Sequence, residues 1–339
     1  MIRAELFETD AQKRVHCQLC PHQCSITEGA TGICGVRKNI AGTLYSLNSD
    51  HVAAMHMDPI EKKPLYHFLP GSRAFSIAAM GCNFSCRFCQ NHSISVVKEE
   101  RDIAGESISP EQLVQHASQG RAKSIAYTYT EPTVFFELMI ETARLARQQG
   151  IRNVMVSNGY MTHRALSLLG PFLDAANIDL KAFSETFYNQ YCSARLKPVL
   201  ETIATLRSMG IWLEITTLLI PGLNDGREEI KRLISFLLAT DQDMPWHVSR
   251  FFPQYRMQNI PQTEPAEIEG ILDLGVRMGL KFLYSGNLAA DHWSDTLCPR
   301  CKKLLIRRQG YLTEITALQS GKCSFCGQAI PGCWENETL

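Results

Sequence analysis

From residue 73 to about 290, short apolar runs rich in β-branched and aromatic residues alternate with stretches whose apolar positions recur at helical spacing. That alternation is the pattern of βα units, which lay their strands side by side in a parallel sheet. The predicted strands are 74–80 (AFSIAAM), 124–130 (SIAYTYT), 153–158 (NVMVSN), 176–182 (ANIDLKA), 212–219 (WLEITTLL) and 246–252 (WHVSRFF), with 281–285 (KFLYS) a candidate seventh. Between the first two, Ser109, Pro110 and Gln112 supply a side-chain cap, a proline at the first helical position and a capping box. A second helix follows Pro132, carries Val134, Leu138 and Leu145 on one face, and stops at Gly150; later helices end near Gly210 and Gly279. This count suits an α/β fold built as a half- to three-quarter-closed (β/α)6-type barrel, because a full eightfold barrel takes about 250 residues. Residues 1–72 and 291–339 do not continue the rhythm and read as small appended segments beside a barrel of 73–290.

Lys+Arg and Asp+Glu both number 34, so the net charge is zero and nothing advertises a polyanion-binding surface. Nucleic acid is therefore not an expected partner. No apolar run approaches the roughly 18 to 20 residues of a membrane helix, and the start MIRAELFETDAQKR lacks a basic, then apolar, leader. A soluble cytoplasmic protein without membrane association is the expectation. Composition changes the picture only through cysteine. Of thirteen, twelve fall into three clusters: Cys17, Cys20, Cys24 and Cys34; Cys82, Cys86 and Cys89; and Cys298, Cys301, Cys323, Cys326 and Cys333. Disulfide frameworks belong to short secreted chains, and cysteines two residues apart pair poorly, so the clusters read as metal sites. Cys192 stands alone on a short helix, where no metal role is expected.

The central cluster, Gly81-CNFSCRFC-Gln90, is a CxxxCxxC loop directly after the first barrel strand. Three thiolates leave one iron of a [4Fe–4S] cube open to another ligand. Gly81 and Asn83 at the strand exit favour a loop over a helix face of buried cysteines. The loop resembles that of the radical S-adenosylmethionine (SAM) enzymes, in which an aromatic residue precedes the third cysteine, as Phe88 does. The resemblance implies that SAM binds the open iron and that the reduced cluster cleaves it to methionine and a hydrogen-abstracting 5′-deoxyadenosyl radical. It implies further that Glu131 in TYTEP holds the SAM amino group, although the two glycines of the family's usual turn are missing. Ser157 and Asn158 in SNGY match a turn lying against SAM. Asp179 and Lys181 in NIDLKAF match residues for its ribose and carboxylate ends, and His247 in WHVSRFFP matches a late-strand histidine near SAM. Read as residues alone, Glu131 and Pro132 also suit the start of the next helix, Asp179 and Lys181 an ordinary ion pair, and His247 a core position. Cys82 to Cys89, Glu131, Ser157, Asn158, Asp179 and Lys181 fall at the carboxyl ends of predicted parallel strands, where barrels build active sites.

At the C-terminus, CPRC and CSFCG are two knuckles 21 residues apart, the make-up of a four-cysteine zinc ribbon formed by Cys298, Cys301, Cys323 and Cys326. Structural zinc contributes on the order of 10 kcal/mol to folding, which a segment this short needs. Rubredoxin-like iron is the alternative, and Cys333 is a spare or substitute ligand. The N-terminal CxxCxxxC followed by Cys34 fits zinc or an auxiliary iron–sulfur cluster, and His16 or His22 could replace a thiolate.

The whole-chain arrangement narrows the likeness. CQLCPHQC, GATGICGVR, DPIEKKPLYHFLPGS (58–72), GCNFSCRFCQN, TYTEP, IPGLND (220–225) and the two-knuckle tail together resemble the radical SAM enzymes of the AmmeMemoRadiSam system. That group is similar to pyruvate formate-lyase activating enzymes and is associated with Memo-type and AMMECR-type partner proteins. The resemblance implies a reducing electron donor and hydrogen abstraction from a protein or peptide, as in glycyl-radical activation. Modification of RNA or a small molecule, with the ribbon as a clamp, and a non-catalytic iron–sulfur scaffold are the alternatives. A scaffold has no use for Glu131, Asp179 and Lys181 around an under-coordinated cluster, which favours an enzyme.

Overall fold

The computed structural model describes residues 1–288 and 292–334; the domain boundary read at 290/291 lies outside the described residues. The central sheet has eight strands, β1 (Ala54–Pro59), β2 (Arg73–Ala78), β3 (Ser124–Tyr127), β4 (Arg152–Ser157), β5 (Ala175–Asp179), β6 (Trp212–Leu219), β7 (Trp246–Arg250) and β8 (Leu283–Gly286), paired in sequence order. Strands β2 to β8 are all parallel. The candidate seventh barrel strand is therefore present. β3 and most of β5 are buried on both faces, as strands covered by helices outside and side chains inside must be.

β1 pairs antiparallel with β2, Met57 opposite Phe75, so the stretch 1–72 contributes a strand to the barrel sheet itself. Periodicity did not reveal this, because β1 is half-exposed and no helix precedes it. β1 and β8 are the two ends of the strand order and do not pair, which leaves the barrel open on one side.

Six helices of seven or more residues connect the parallel strands. Pro110–Gln119 starts with the expected capping box, Gln112 N–H donating to Ser109 Oγ and the Gln112 amide accepting from Ser109 N–H. The segment after Pro132 begins as a tight turn, Pro132–Phe135, and becomes α-helix at Phe136–Gln148, burying Phe136, Met139, Ala143 and Ala146 rather than centring on Leu145. Gly150, Gly210 and Gly279 take positive φ after their helices, as expected.

Two predicted strands stop three residues early. The run 124–130 ends at Tyr127 because Tyr129 adopts φ +64, and 176–182 ends at Asp179; the lost residues form loops at the carboxyl ends of the strands. The N-terminal segment adds two small antiparallel sheets and is docked by a buried ion pair, Arg37 Nη2 to Glu137 Oε2 at 2.6 Å. The C-terminal segment, with the hairpin Leu304–Gln309 and Leu312–Ile315, shares a core with Phe282 and Tyr284 at the start of β8. Among the described residues no helix is long and apolar enough to cross a membrane.

Candidate functional site

A cavity of about 670 Å³ opens at the carboxyl ends of the strands and is lined by Cys82, Cys86, Phe88, Cys89, Glu131, Ser157, Asn158, Asp179 and Lys181, among others. The volume suits a nucleoside-sized ligand with room for a second group. The cysteine loop leaves β2 through Gly81, whose φ of +109 turns the chain sharply outward. It is then fixed by its neighbours. Ser85 and Arg87 N–H donate to the carbonyls of Cys192 and Tyr191, Arg256 N–H donates to Arg87 O, and Gln254 Nε2 donates to Phe88 O. Phe88 is buried, its ring 5.9 Å from that of Phe187.

Glu131 is almost wholly buried, and its carboxylate accepts four hydrogen bonds. Oε1 takes Thr133 N–H (3.0 Å), Thr133 Oγ1 (2.6 Å) and Ser157 Oγ (2.8 Å); Oε2 takes Asn158 N–H (2.8 Å). Burial lifts its pKa above the ordinary carboxylate value despite these donors. A cation arriving in the cavity would relieve that cost, so the carboxylate is poised for an ammonium group. The Thr133 contact also caps the following turn, and both readings of Glu131 hold. Asn158 ties the site together: its Nδ2 donates to Asn83 Oδ1 (2.8 Å), and its Oδ1 accepts from Tyr160 N–H (2.9 Å).

Lys181 Nζ lies 3.0 Å from Asp179 Oδ2 and 5.8 Å from the Phe88 ring centre. Burial works against this ammonium, but Asp179 together with the neighbouring Cys86 and Cys192 outweighs it and holds the Lys181 pKa well above the usual value. Asn224, from the IPGLND segment, donates to the carbonyls of Lys181 (2.7 Å) and Leu218 (2.8 Å), so that motif braces the Lys181 loop against β6.

Two expectations need correction. His247 does not line the cavity: it is the second residue of β7, deep in the barrel, and Nε2 meets Glu214 Oε2 at 2.7 Å with both side chains buried. The residues of that strand that reach the cavity are Ser249 and Arg250. Cys192 is not remote from the other cysteines. The backbone pairing of 85–87 with 191–192 sets Cys192 beside the cysteine loop, next to Cys86.

Sequence reasoning also missed one wall of the cavity, formed by Lys62, Lys63 and Tyr129. Lys63 Nζ pairs with Asp58 Oδ2 at 2.7 Å, Tyr129 donates to the same carboxylate, and burial lowers the Lys63 pKa to about 8. The signal was the adjacent lysines in DPIEKKP, but nothing in the sequence said that they turn inward.

The flanking clusters differ in geometry. At the C-terminus, Cys298 and Cys326 Sγ are 3.6 Å apart, as are Cys301 and Cys323 Sγ. Tetrahedral thiolates 2.3 Å from a zinc ion would stand about 3.8 Å apart, so these four sulfurs already converge on a single-ion site. The two knuckles share one device: Lys302 and Gly327, each directly after a CxxC, take left-handed φ and return N–H to the first cysteine's carbonyl. Cys333 lies outside that group, with its backbone hydrogen-bonded to residues 67 and 69. The N-terminal Cys17, Cys20, Cys24 and Cys34 line one small pocket with His22, whereas His16 faces Asp10 at 3.4 Å.

Comparison with known proteins gives a consistent picture. A model of the Radical SAM superfamily matches residues 77–237. The uncharacterized protein MJ0808 of Methanocaldococcus jannaschii is 39% identical over 333 residues, 97% of this chain and 99% of its own. A putative glycyl-radical enzyme activating enzyme of the same organism, MJ1632, is 27% identical over 224 residues, 65% of this chain and 82% of its own. The crystal structure of Streptococcus suis SuiB bound to precursor peptide SuiA shares the fold, with a TM-score of 0.52 at 12% identity over 68% of this chain and 51% of that one.

Proposed function

We propose that this chain, an enzyme with a radical SAM domain over residues 77–237, generates a substrate radical on a protein or peptide, in the manner of a glycyl-radical activase. The observation that carries the reading is the cavity, in which three thiols face a buried carboxylate and the Asp179–Lys181 pair. The donor set fits the implied groups. Cys82, Cys86 and Cys89 offer soft thiolates for three irons of a [4Fe–4S] cluster and do not crowd together as a single-ion site does. Glu131 offers an anion for the SAM ammonium, and Lys181 a cation for its carboxylate. When bound, the cluster and SAM supply reductive formation of a 5′-deoxyadenosyl radical for hydrogen abstraction. The chain's own part is to fix the orientation of SAM through Glu131, Ser157 and Asn158 and to keep water out with Phe84, Phe88 and Phe251.

The protein or peptide substrate is supported by the relative named as a glycyl-radical activase and by the peptide that SuiB binds. Memo-type and AMMECR-type proteins are proposed as partners on the motif likeness, a cytoplasmic location accompanies them, and zinc is proposed for the four C-terminal thiols. The test has two arms. Anaerobically reconstituted, reduced protein should form 5′-deoxyadenosine from SAM, and Cys82/Cys86/Cys89→Ala should not; equal formation in both would overturn the site. With extracts of deuterated cells, deuterium should enter 5′-deoxyadenosine from the nuclease-treated protein fraction. Transfer from the RNA or small-molecule fraction instead would overturn the substrate reading while leaving the site intact.

A further inference from the structure

We infer that Cys17, Cys20, Cys24 and Cys34 hold a second iron–sulfur cluster, set against the wall of the first, rather than a zinc ion. The four thiols line one pocket together with His22, Asn83 and Arg37. They share a pocket without converging on a point. Among the described residues, the C-terminal four are the group whose ligand atoms all lie within 4.8 Å of one another; no three of the N-terminal sulfurs do so, and neither do Cys82, Cys86 and Cys89. The chain thus carries its own scale. The C-terminal four show the spacing of a mononuclear ion, and the N-terminal four share the wider setting of the loop that holds three irons of a cube. A multinuclear cluster binds each thiolate to a different metal or pair of positions on its outer surface, so its ligands must stand farther apart than those of one ion.

A second observation is independent of the thiol positions. Arg37 lines the same pocket, is only 2% exposed, and its Nε has no hydrogen-bond partner although Nη1 and Nη2 are bound to Glu137. A buried donor left unpaired is costly, the more so when it is charged. The sulfides and thiolates of an anionic cluster are acceptors of the kind that would satisfy it.

The two sites share a wall. Gly81, directly before Cys82, approaches the Cys34 end so closely that a Cβ there would lie 2.9 Å from Val36 Cγ1 and 3.4 Å from Cys34 O. On the other side of Cys82, Asn83 O is 2.7 Å from His22 Nε2, within the Cys20 to Cys24 loop. The N-terminal segment, through Cys34 O, Val36 and His22, therefore packs against the residues on both sides of Cys82.

The experiment is a stoichiometry on the full chain, purified and reconstituted anaerobically, and repeated on Cys82/Cys86/Cys89→Ala. Acid-labile sulfide distinguishes a cluster from any single ion, including rubredoxin-type iron. The parent should hold about eight sulfides per chain, or about six if the second cluster is [2Fe–2S], and the variant should keep about four or two. About four sulfides in the parent and none in the variant, with zinc at two per chain or the site vacant, would overturn the inference. Should the variant not fold, the parent's count alone decides. Neither outcome depends on SAM turnover, so failure of the functional reading would be seen separately.

Discussion

Glu131 concentrates the site's chemistry at one carboxylate. Oε1 is filled by three donors, and Oε2 has one, Asn158 N–H, leaving a lone pair for a cation from the cavity. Glu131→Gln removes the charge and forces an NH₂ group against one of these donors. Hydrogen bonds to charged groups contribute about 1.5–3 kcal/mol, so SAM binding to the reconstituted protein should weaken about tenfold or more, with cluster iron unchanged. Equilibrium dialysis reads this directly; unaltered affinity would leave Glu131 as a helix-opening residue only. Glu131 was legible through the likeness of TYTEP, at a predicted strand's end, to the radical SAM pattern, since the residues alone suit a helix start equally well. Strand end against strand depth is the distinction the sequence did not reveal for His247, whose partner Glu214 lies thirty-three positions away on the neighbouring strand. Cys192 was misread for the same reason, since isolation in sequence says nothing of the backbone pairing that sets it beside Cys86.

At the scale of elements, the informative piece is the loop 60–72 between β1 and β2. Having no period, it offered no structural signal beyond its motif likeness, yet it fills the barrel where β1 and β8 fail to meet. Tyr66 packs edge-on to His247, and both Tyr66 and His67 N–H donate to Glu214. A directed chain of hydrogen bonds runs from Arg308 Nη1 to Thr296 Oγ1, from Thr296 to the Tyr284 hydroxyl, from Tyr284 to His67 Nε2, and from His67 Nδ1–H to Pro331 O. The chain requires neutral His67, and burial lowers its pKa to about 4. The unfolded chain, at the ordinary value near 6.5, binds the proton first as pH falls. Stability from this group is therefore intact above about pH 6.5 and is lost progressively toward pH 4, by up to about 3 kcal/mol. Thermal melts across that range should show the decline, and His67→Gln should flatten it while lowering Tm at neutral pH. An equal slope in the variant would assign the acid sensitivity elsewhere.

At the scale of the whole molecule, the C-terminal segment is a working wall of the barrel rather than a tail. Its knuckles and their spacing were legible because cysteine pairs two residues apart have one common use. Its docking was not, because the contacts join residues more than two hundred positions apart. Arg308 donates to Tyr66 O at 2.7 Å and lies 4.2 Å from the Tyr66 ring centre, while Tyr311, in the turn of the same hairpin, lines the cavity. Thr313 donates to Glu61, beside the cavity lysines. A metal at Cys298, Cys301, Cys323 and Cys326 therefore holds a segment that shapes the cavity from the barrel's open side. Structural zinc contributes on the order of 10 kcal/mol to its own segment, enough that removing one thiolate should release both metal and hairpin. Cys298→Ser should thus lose the metal and lower Tm, and it should also reduce 5′-deoxyadenosine formation although sulfide at the radical cluster is retained. Unchanged metal and Tm would deny the site. Lost metal with full turnover would instead show that the hairpin's reach to Tyr311 is incidental, and that loop 60–72 closes the barrel without help.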